Sequence, residues 1–163
     1  MPKRPGVLTG TAGVYFVAYQ LAARGYHAAV TYGNAPTVDL LVGLLDGAAT
    51  ISLQVKTSSG ARRTRGRGKS KLLHHYEWAI GVKSAKIHRP DLFFALVDLK
   101  SRPGELPDVF ILPSDVIFNA FEPYLKTTTR TTYLIWKPRV DEIGQFINNW
   151  DILRKYLEEK ARK

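Results

Sequence analysis

A carboxylate, an amide oxygen and an ammonium gathered at one point could hold a divalent cation and a polarised water, and one apolar stretch of this chain carries all three. Residues 38–56, VDLLVGLLDGAATISLQVK, are dominated by Leu, Val and Ile yet contain Asp39, Gln54 and Lys56. Asp46-Gly47 interrupts the run with a dipeptide suited to the positive φ angles of a tight hairpin turn. Side chains alternate along a strand, so Ser52, Gln54 and Lys56 share one face while Ile51, Leu53 and Val55 take the other. Register decides whether Asp39 joins them. A turn of Asp46 and Gly47 alone puts Asp39 opposite Gln54, and a turn that also takes in Ala48 and Ala49 puts it opposite Lys56. Opposed residues project from the same face, roughly 5 Å apart at Cβ. A three-residue turn would place Asp39 opposite Val55 and break the cluster.

Each residue alone has an ordinary explanation. An aspartate at a strand start is commonly a turn or cap residue, and a strand lysine commonly carries its amine to solvent along an apolar stem. Three polar groups on one face of an apolar hairpin are harder to dismiss, because burying them unpaired costs several kcal/mol. A mutual or metal-mediated arrangement is the expectation.

Asp39 followed by Gln54-Val55-Lys56 resembles the core signature of the PD-(D/E)XK nuclease superfamily, the restriction-endonuclease-like fold. The order of Asp, hairpin and (Glu/Asp/Gln)-x-Lys matches, as does an amphipathic helix before it ending at Gly25-Tyr26. The resemblance is clearest over about the first sixty residues. It implies a metal-dependent DNA endonuclease in which Asp39, Gln54 and Lys56 are catalytic. Mg²⁺, or Mn²⁺, would be held by Asp39, the Gln54 side chain and the Val55 carbonyl, with Lys56 orienting water or steadying the scissile phosphate. Hard oxygen ligands suit such an ion, and the ion suits phosphodiester hydrolysis as Lewis acid and water activator. Two positions depart from the pattern: Gln54 stands where most members carry an acid, and Val14 follows Gly13 where relatives of this type carry a first-helix Glu. Asp39 is thus the only evident carboxylate ligand. The alternative is a catalytically inactive nuclease-fold protein that binds nucleic acid; a third reading is an assembly component whose basic surface meets an acidic protein.

Charge points the same way. The 163 residues carry 24 Lys and Arg against 14 Asp and Glu, a net +10 that suits a polyanionic partner, double-stranded DNA foremost. Apolar content of 45% and charged content of 23% are those of a globular protein, and the length suits one domain over residues 1–163. The absence of cysteine excludes a disulfide framework and a Cys-ligated zinc site, and fits a reducing cytoplasm. No secretory signal is expected from the opening MPKRPG, and no apolar run is long enough for a membrane span. Cutting two strands needs two sites, which a homodimer would supply.

The elements that must position these residues read as α/β, a central mixed sheet flanked by helices. Val14, Val17, Ala18, Leu21 and Ala22 recur at helical spacing, with Gly25 as the stop. Residues 26–32 alternate as a strand, and residues 33–36 form a loop. Tyr76, Trp78 and Ile80 alternate as a strand entering a short helix before Arg89-Pro90. Residues 92–99, LFFALVDL, read as a strand buried on both faces. A strand at 109–112 leads into a helix with Ser114 as N-cap, and 133–136 reads as an edge strand stopped by Pro138. From Asp141 onward Ile143, Phe146, Ile147, Trp150, Leu153 and Leu157 form a helical stripe, broken near Asn148-Asn149.

Residues 58–71, SSGARRTRGRGKSK, have six basic residues, three glycines and no acid, and read as a mobile basic loop. Arg62, Arg63, Arg65, Arg67, Lys69 and Lys71 are candidate phosphate contacts; six contacts to a duplex would give a log–log salt slope of about −5. His74, His75 and Glu77 make a weak metal candidate, because adjacent strand residues point to opposite faces.

Overall fold

The computed structural model describes residues 6–32, 37–100 and 104–163. The expected loop at 33–36 lies outside them. Along the chain run α1 (Gly6–Ala22), β1 (His27–Val30), β2 (Leu40–Gly43), β3 (Thr50–Ser58), β4 (Arg62–Arg65), β5 (Leu72–Tyr76), β6 (Trp78–Gly81), α2 (Val82–Ala85), β7 (Leu92–Asp98), β8 (Asp108–Pro113), α3 (Ser114–Leu125), β9 (Tyr133–Trp136), α4 (Val140–Ile143) and α5 (Asp151–Ala161).

α1 buries Thr9, Gly13, Val17 and Leu21, a single stripe at helical spacing. It stops where its sequence says it should. Gly25 has φ +83°, its N–H donates to the Ala22 carbonyl, and the Tyr26 N–H reaches back to the Leu21 carbonyl at 3.1 Å. This Schellman pair needs a residue at ease in the left-handed region, hence glycine.

Five strands form one mixed sheet in the order β1-β2-β3-β7-β8, with β3 and β7 parallel and the other pairs antiparallel. Every residue of β7 is buried, as its unbroken apolar run predicts for a strand covered on both faces. One face packs Leu53, Val55, Phe93 and Ile111 against Val17 and Leu21 of α1 and Leu153 and Leu157 of α5. The other packs Phe94, Leu96 and Phe110 against Trp78 and Ile80 of β6 and Ile117 and Phe121 of α3. The fold is therefore α/β, a five-stranded mixed sheet between helices.

The expected edge strand at 133–136 is β9, which pairs with β6 in a separate two-stranded sheet, Trp78 opposite Trp136. The expected break in the C-terminal stripe is present: Asn148 adopts φ +49° and its N–H donates to the Val109 carbonyl at 2.7 Å, ahead of α5.

Three expectations need correction. The stretch 58–71 is not simply a loop, since Arg62–Arg65 pairs antiparallel with Leu72–Tyr76 as a two-stranded ribbon. Ser114 caps no helix; its Oγ donates to the Arg89 carbonyl at 2.7 Å and accepts the Arg89 N–H at 3.1 Å, sewing α3 to the segment before β7. His74 and His75 do not follow strict alternation. The register shifts between Arg63 and Thr64, which leaves His74 unpaired as a bulge and lets its Nδ1 lie 2.9 Å from that of His75.

One contact fixes α1 over the hairpin. A Cβ on Gly13 would lie 1.9 Å from Thr57 Oγ1, so only glycine permits this approach of helix to β3.

Candidate active site

The β2–β3 register pairs Leu40 with Leu53, Leu41 with Ser52 and Val42 with Ile51. The Asp39 N–H donates to the Leu53 carbonyl at 2.9 Å, one residue out of that register, so Asp39 and Leu40 both stand against Leu53 and Asp39 is not carried opposite Gln54. The pairing of Leu40–Gly43 is the one expected for a turn of Asp46-Gly47 alone, whereas the expected pairing of Asp39 with Gln54 is overturned by the shift at Asp39. The connection closes through Leu44 N–H to the Ala49 carbonyl, with Gly47 at φ +74° and Asp46 Oδ1 accepting the Ala48 N–H at 3.0 Å. A side-chain acceptor and a left-handed glycine are what such a loop requires.

Asp39 is held on three sides. Its carbonyl accepts the Thr31 N–H at 3.0 Å, its N–H is on β3, and its Oδ2 accepts the Val55 N–H at 2.7 Å. The carboxylate thus replaces the backbone partner that Val55 lacks where β2 begins. Oδ1 has no hydrogen bond among the described residues. N–H and C=O of one strand residue point to the same side. The Leu53 carbonyl meets Asp39 and the Ser52 N–H meets the Asp91 carbonyl at 2.8 Å, so Leu53 and Val55 direct their backbone groups toward β2. The Val55 carbonyl therefore opens on the same side of β3 as the Asp39 carboxylate.

Gln54 is 3% exposed, and its Oε1 is buried without a hydrogen-bond partner. An amide oxygen left so costs about 1–3 kcal/mol. Lys56, two residues on and on the same face, is half-buried. Burial lowers its pKa from the ordinary lysine value, and the negative charge of Asp39 opposes that shift. Asp39 thus takes the Val55 N–H and acts through its charge on Lys56, while Gln54 lies on the face of β3 opposite Val55, and no hydrogen bond joins Asp39 to Gln54 or Lys56 among the described residues.

A cleft of about 700 Å³ opens over Asp39 and Val55, walled by Gly10, Thr11 and Val14 of α1 and by Thr31. α1 has no acidic residue, so the wall that faces Asp39 is neutral. No group of three or more His, Cys, Asp or Glu could share a metal ion among the described residues. A cation in this cleft would meet the Asp39 carboxylate, with the Val55 carbonyl as a neutral donor. Such hard oxygen donors fit Mg²⁺ or Mn²⁺, and phosphate oxygens of a substrate would supply further ligands.

The six basic residues divide. Arg62 reaches Asp108 at 2.6 Å and Asp98 at 3.4 Å, and Arg63 reaches Glu77 at 2.8 Å, so both are tied into the protein. Arg65, Arg67, Lys69 and Lys71 are exposed, with no ion pair among the described residues. Sequence reasoning missed the buried partner. Asp98, fully buried, accepts the Ala61 and Lys100 N–H groups, and its only sequence signal was an acid closing an apolar strand. His75 Nε2 lies 3.1 Å from Glu77 Oε1, so the histidine cluster is spent on hydrogen bonds within the ribbon.

The fold is of the mixed α/β class built around a five-stranded sheet, and it is similar to that of a nuclease. The chain superposes on a bacterial homing endonuclease, I-Ssp6803I, with TM-score 0.58 at 14% sequence identity, over 99% of this chain and 100% of that one. No family model and no curated protein matches the chain. At this identity the likeness is one of fold. No helix among the described residues is long and apolar enough to cross a membrane.

Proposed function

We propose that this chain is a metal-dependent DNA endonuclease of the PD-(D/E)XK type, with Asp39, Gln54 and Lys56 as its catalytic residues. The observation that carries the reading is the Asp39 carboxylate, which lines an open cleft with Val55, takes the Val55 N–H and acts through its charge on the half-buried Lys56 amine. Nuclease-like fold and net charge of +10 add to it.

Asp39 Oδ1, Gln54 Oε1 and the Val55 carbonyl would hold Mg²⁺ or Mn²⁺, which supplies Lewis acidity toward the phosphoryl oxygen and a bound water of lowered pKa. The Val55 N–H fixes Asp39 through Oδ2, leaving Oδ1 free to ligate. Lys56 positions the attacking water and offsets charge on the phosphate. Its lowered pKa increases the neutral fraction of the amine, which can accept a proton from that water. Gly10, with open space where a Cβ would sit, keeps the α1 wall low enough for a phosphate backbone to approach.

The single carboxylate also favours a second reading, a nuclease fold that binds nucleic acid without cutting it. Relaxation of supercoiled plasmid in Mg²⁺ or Mn²⁺ separates the two. Cleavage by the wild type that is abolished in Asp39→Ala and Lys56→Ala supports the endonuclease; DNA binding by all three with no cleavage by any supports the binder. A homodimer, the arrangement that would cut both strands, is tested by the protein's mass in solution.

A further inference from the structure

We propose that the β4–β5 ribbon inserts into the major groove of duplex DNA, with Arg65, Arg67, Lys69 and Lys71 as its contacting cations and Leu72 on apolar base edges. This rests on the nucleic-acid part of the reading above and is independent of the chemistry at Asp39.

The ribbon is built in two parts. Its base is locked to the protein: Ala61 and Tyr76 are buried, the Glu77 N–H donates to the Ala61 carbonyl at 2.9 Å, and the Tyr76 N–H donates to the Pro138 carbonyl at 3.1 Å. Arg62 adds its bonds to Asp98 and Asp108, and Arg63 its bond to Glu77. Beyond that base nothing among the described residues covers it. Every residue from Arg62 through Leu73 is exposed, and past the base, where His75 bridges to Arg139, β4 and β5 pair with each other alone among the described residues. A bare two-stranded ribbon is marginal in water, so a base held by this many partners marks an element kept projecting.

The outer part suits a groove. Residues 58–76 contain no acid, so nothing on the ribbon repels phosphate. The tip is closed tightly by glycine: Gly66 has φ +109° with the Ser70 carbonyl oxygen 2.4 Å from where a Cβ would sit, and Ser70 Oγ donates to the Arg67 carbonyl. A narrow turn between two strands is what the major groove of B-DNA admits. Arg65 pairs across the ribbon with Leu72, which is 72% exposed, so one face offers a guanidinium for guanine and an apolar group for a thymine methyl. The deep, narrow major groove of A-form RNA would exclude it.

The base of the ribbon and the candidate site each border the first turns of α1. One concavity flanking the start of α1 is lined by Asp39 and Val55, and another flanking the same turns is lined by Arg63, Glu77 and Thr57.

The test is anisotropy of a fluorescent mixed-sequence duplex in EDTA, titrated across a salt series. Wild type should show a steep slope, and combined Arg65→Ala, Arg67→Ala, Lys69→Ala and Lys71→Ala should flatten it by up to about 3.6 in log–log units, near 0.9 for each phosphate no longer neutralised. All four are exposed, and unchanged circular dichroism confirms that the variant folds. Glucosylated DNA, whose major groove is filled, should bind at least tenfold more weakly, whereas a minor-groove ligand should not compete. An unchanged slope in the quadruple variant, indifference to glucosylation, or equal affinity for double-stranded RNA would overturn the proposal. A plasmid-cleaving protein that fails these tests loses the ribbon and keeps the nuclease; a non-cleaving protein that passes them does the reverse.

Discussion

Replacing Gln54 by methionine should make the protein more stable and less able to bind metal. Gln54 Oε1 is buried with no partner, on a residue 3% exposed, and such an oxygen costs about 1–3 kcal/mol. Methionine follows nearly the same unbranched path without the oxygen, and its flexibility absorbs small misfits. Allowing for imperfect packing, the gain should be about 1 kcal/mol, or roughly 2–4 °C in Tm for a chain of this length. The ion has the opposite effect on the comparison. A ligand at a hundredfold above its Kd stabilises the native state by about 2.7 kcal/mol, and removal of a neutral oxygen donor should shrink that shift in Gln54→Met. Thermal unfolding of both proteins in EDTA and in Mn²⁺ reads the two effects separately. If Gln54→Met is destabilised by more than about 1 kcal/mol in EDTA, or keeps the whole Mn²⁺-induced shift, the amide oxygen is a structural group and not a ligand.

Lys56→Met should abolish cleavage without loss of stability near neutral pH. Because the folded pKa of Lys56 lies below the unfolded one, the unfolded chain holds more protons between the two values. Wild-type stability should therefore rise with pH across the window from the depressed value to the ordinary 10.5, and urea unfolding of Lys56→Met should lack that rise. Gly13→Ala forces a Cβ to within 1.9 Å of Thr57 Oγ1, and overpacking of this kind costs about 1–3 kcal/mol. Adding Thr57→Ala should recover part of it in a double-mutant cycle, and additive losses would mean that the two do not touch. Arg62→Ala strips the side chain that faces buried Asp98 and Asp108; since Arg62 is itself half-exposed, the cost should be about 1–3 kcal/mol rather than that of a fully buried pair. Denaturant midpoints check this, and Arg67→Ala should leave them unchanged.

Much of the site-bearing half was legible because its signals are local. Asp46-Gly47 sets a turn and the turn sets the register that pairs Leu40 with Leu53, but a one-residue shift at Asp39, which residue type does not announce, takes Asp39 out of line with Gln54. Gly25 stops α1 through bonds to carbonyls only a turn away. Where the sequence misled, the deciding partner was remote. Residues 58–71 have Ala61 as their one apolar side chain and read as a loop, but Arg62 is held by Asp98 and by Asp108, 46 positions away. Ser114 has the residue type of a cap, yet its hydroxyl is taken by Arg89, 25 positions earlier. His74 and His75 obey alternation only in an unbulged strand, and a bulge leaves no mark in residue type. The free oxygen of Gln54 is likewise a property of packing: composition shows an amide and cannot show that nothing meets it.

If Asp39, Gln54 and Val55 turn their oxygens to one ion, a crystal soaked in Mn²⁺ and measured at a wavelength that excites manganese will reveal it. One anomalous peak should stand within bonding distance of Asp39 Oδ1, Gln54 Oε1 and the Val55 carbonyl, and it should be absent from Asp39→Ala. A peak elsewhere, or none beside those three oxygens at saturating Mn²⁺, would rule the shared metal site out.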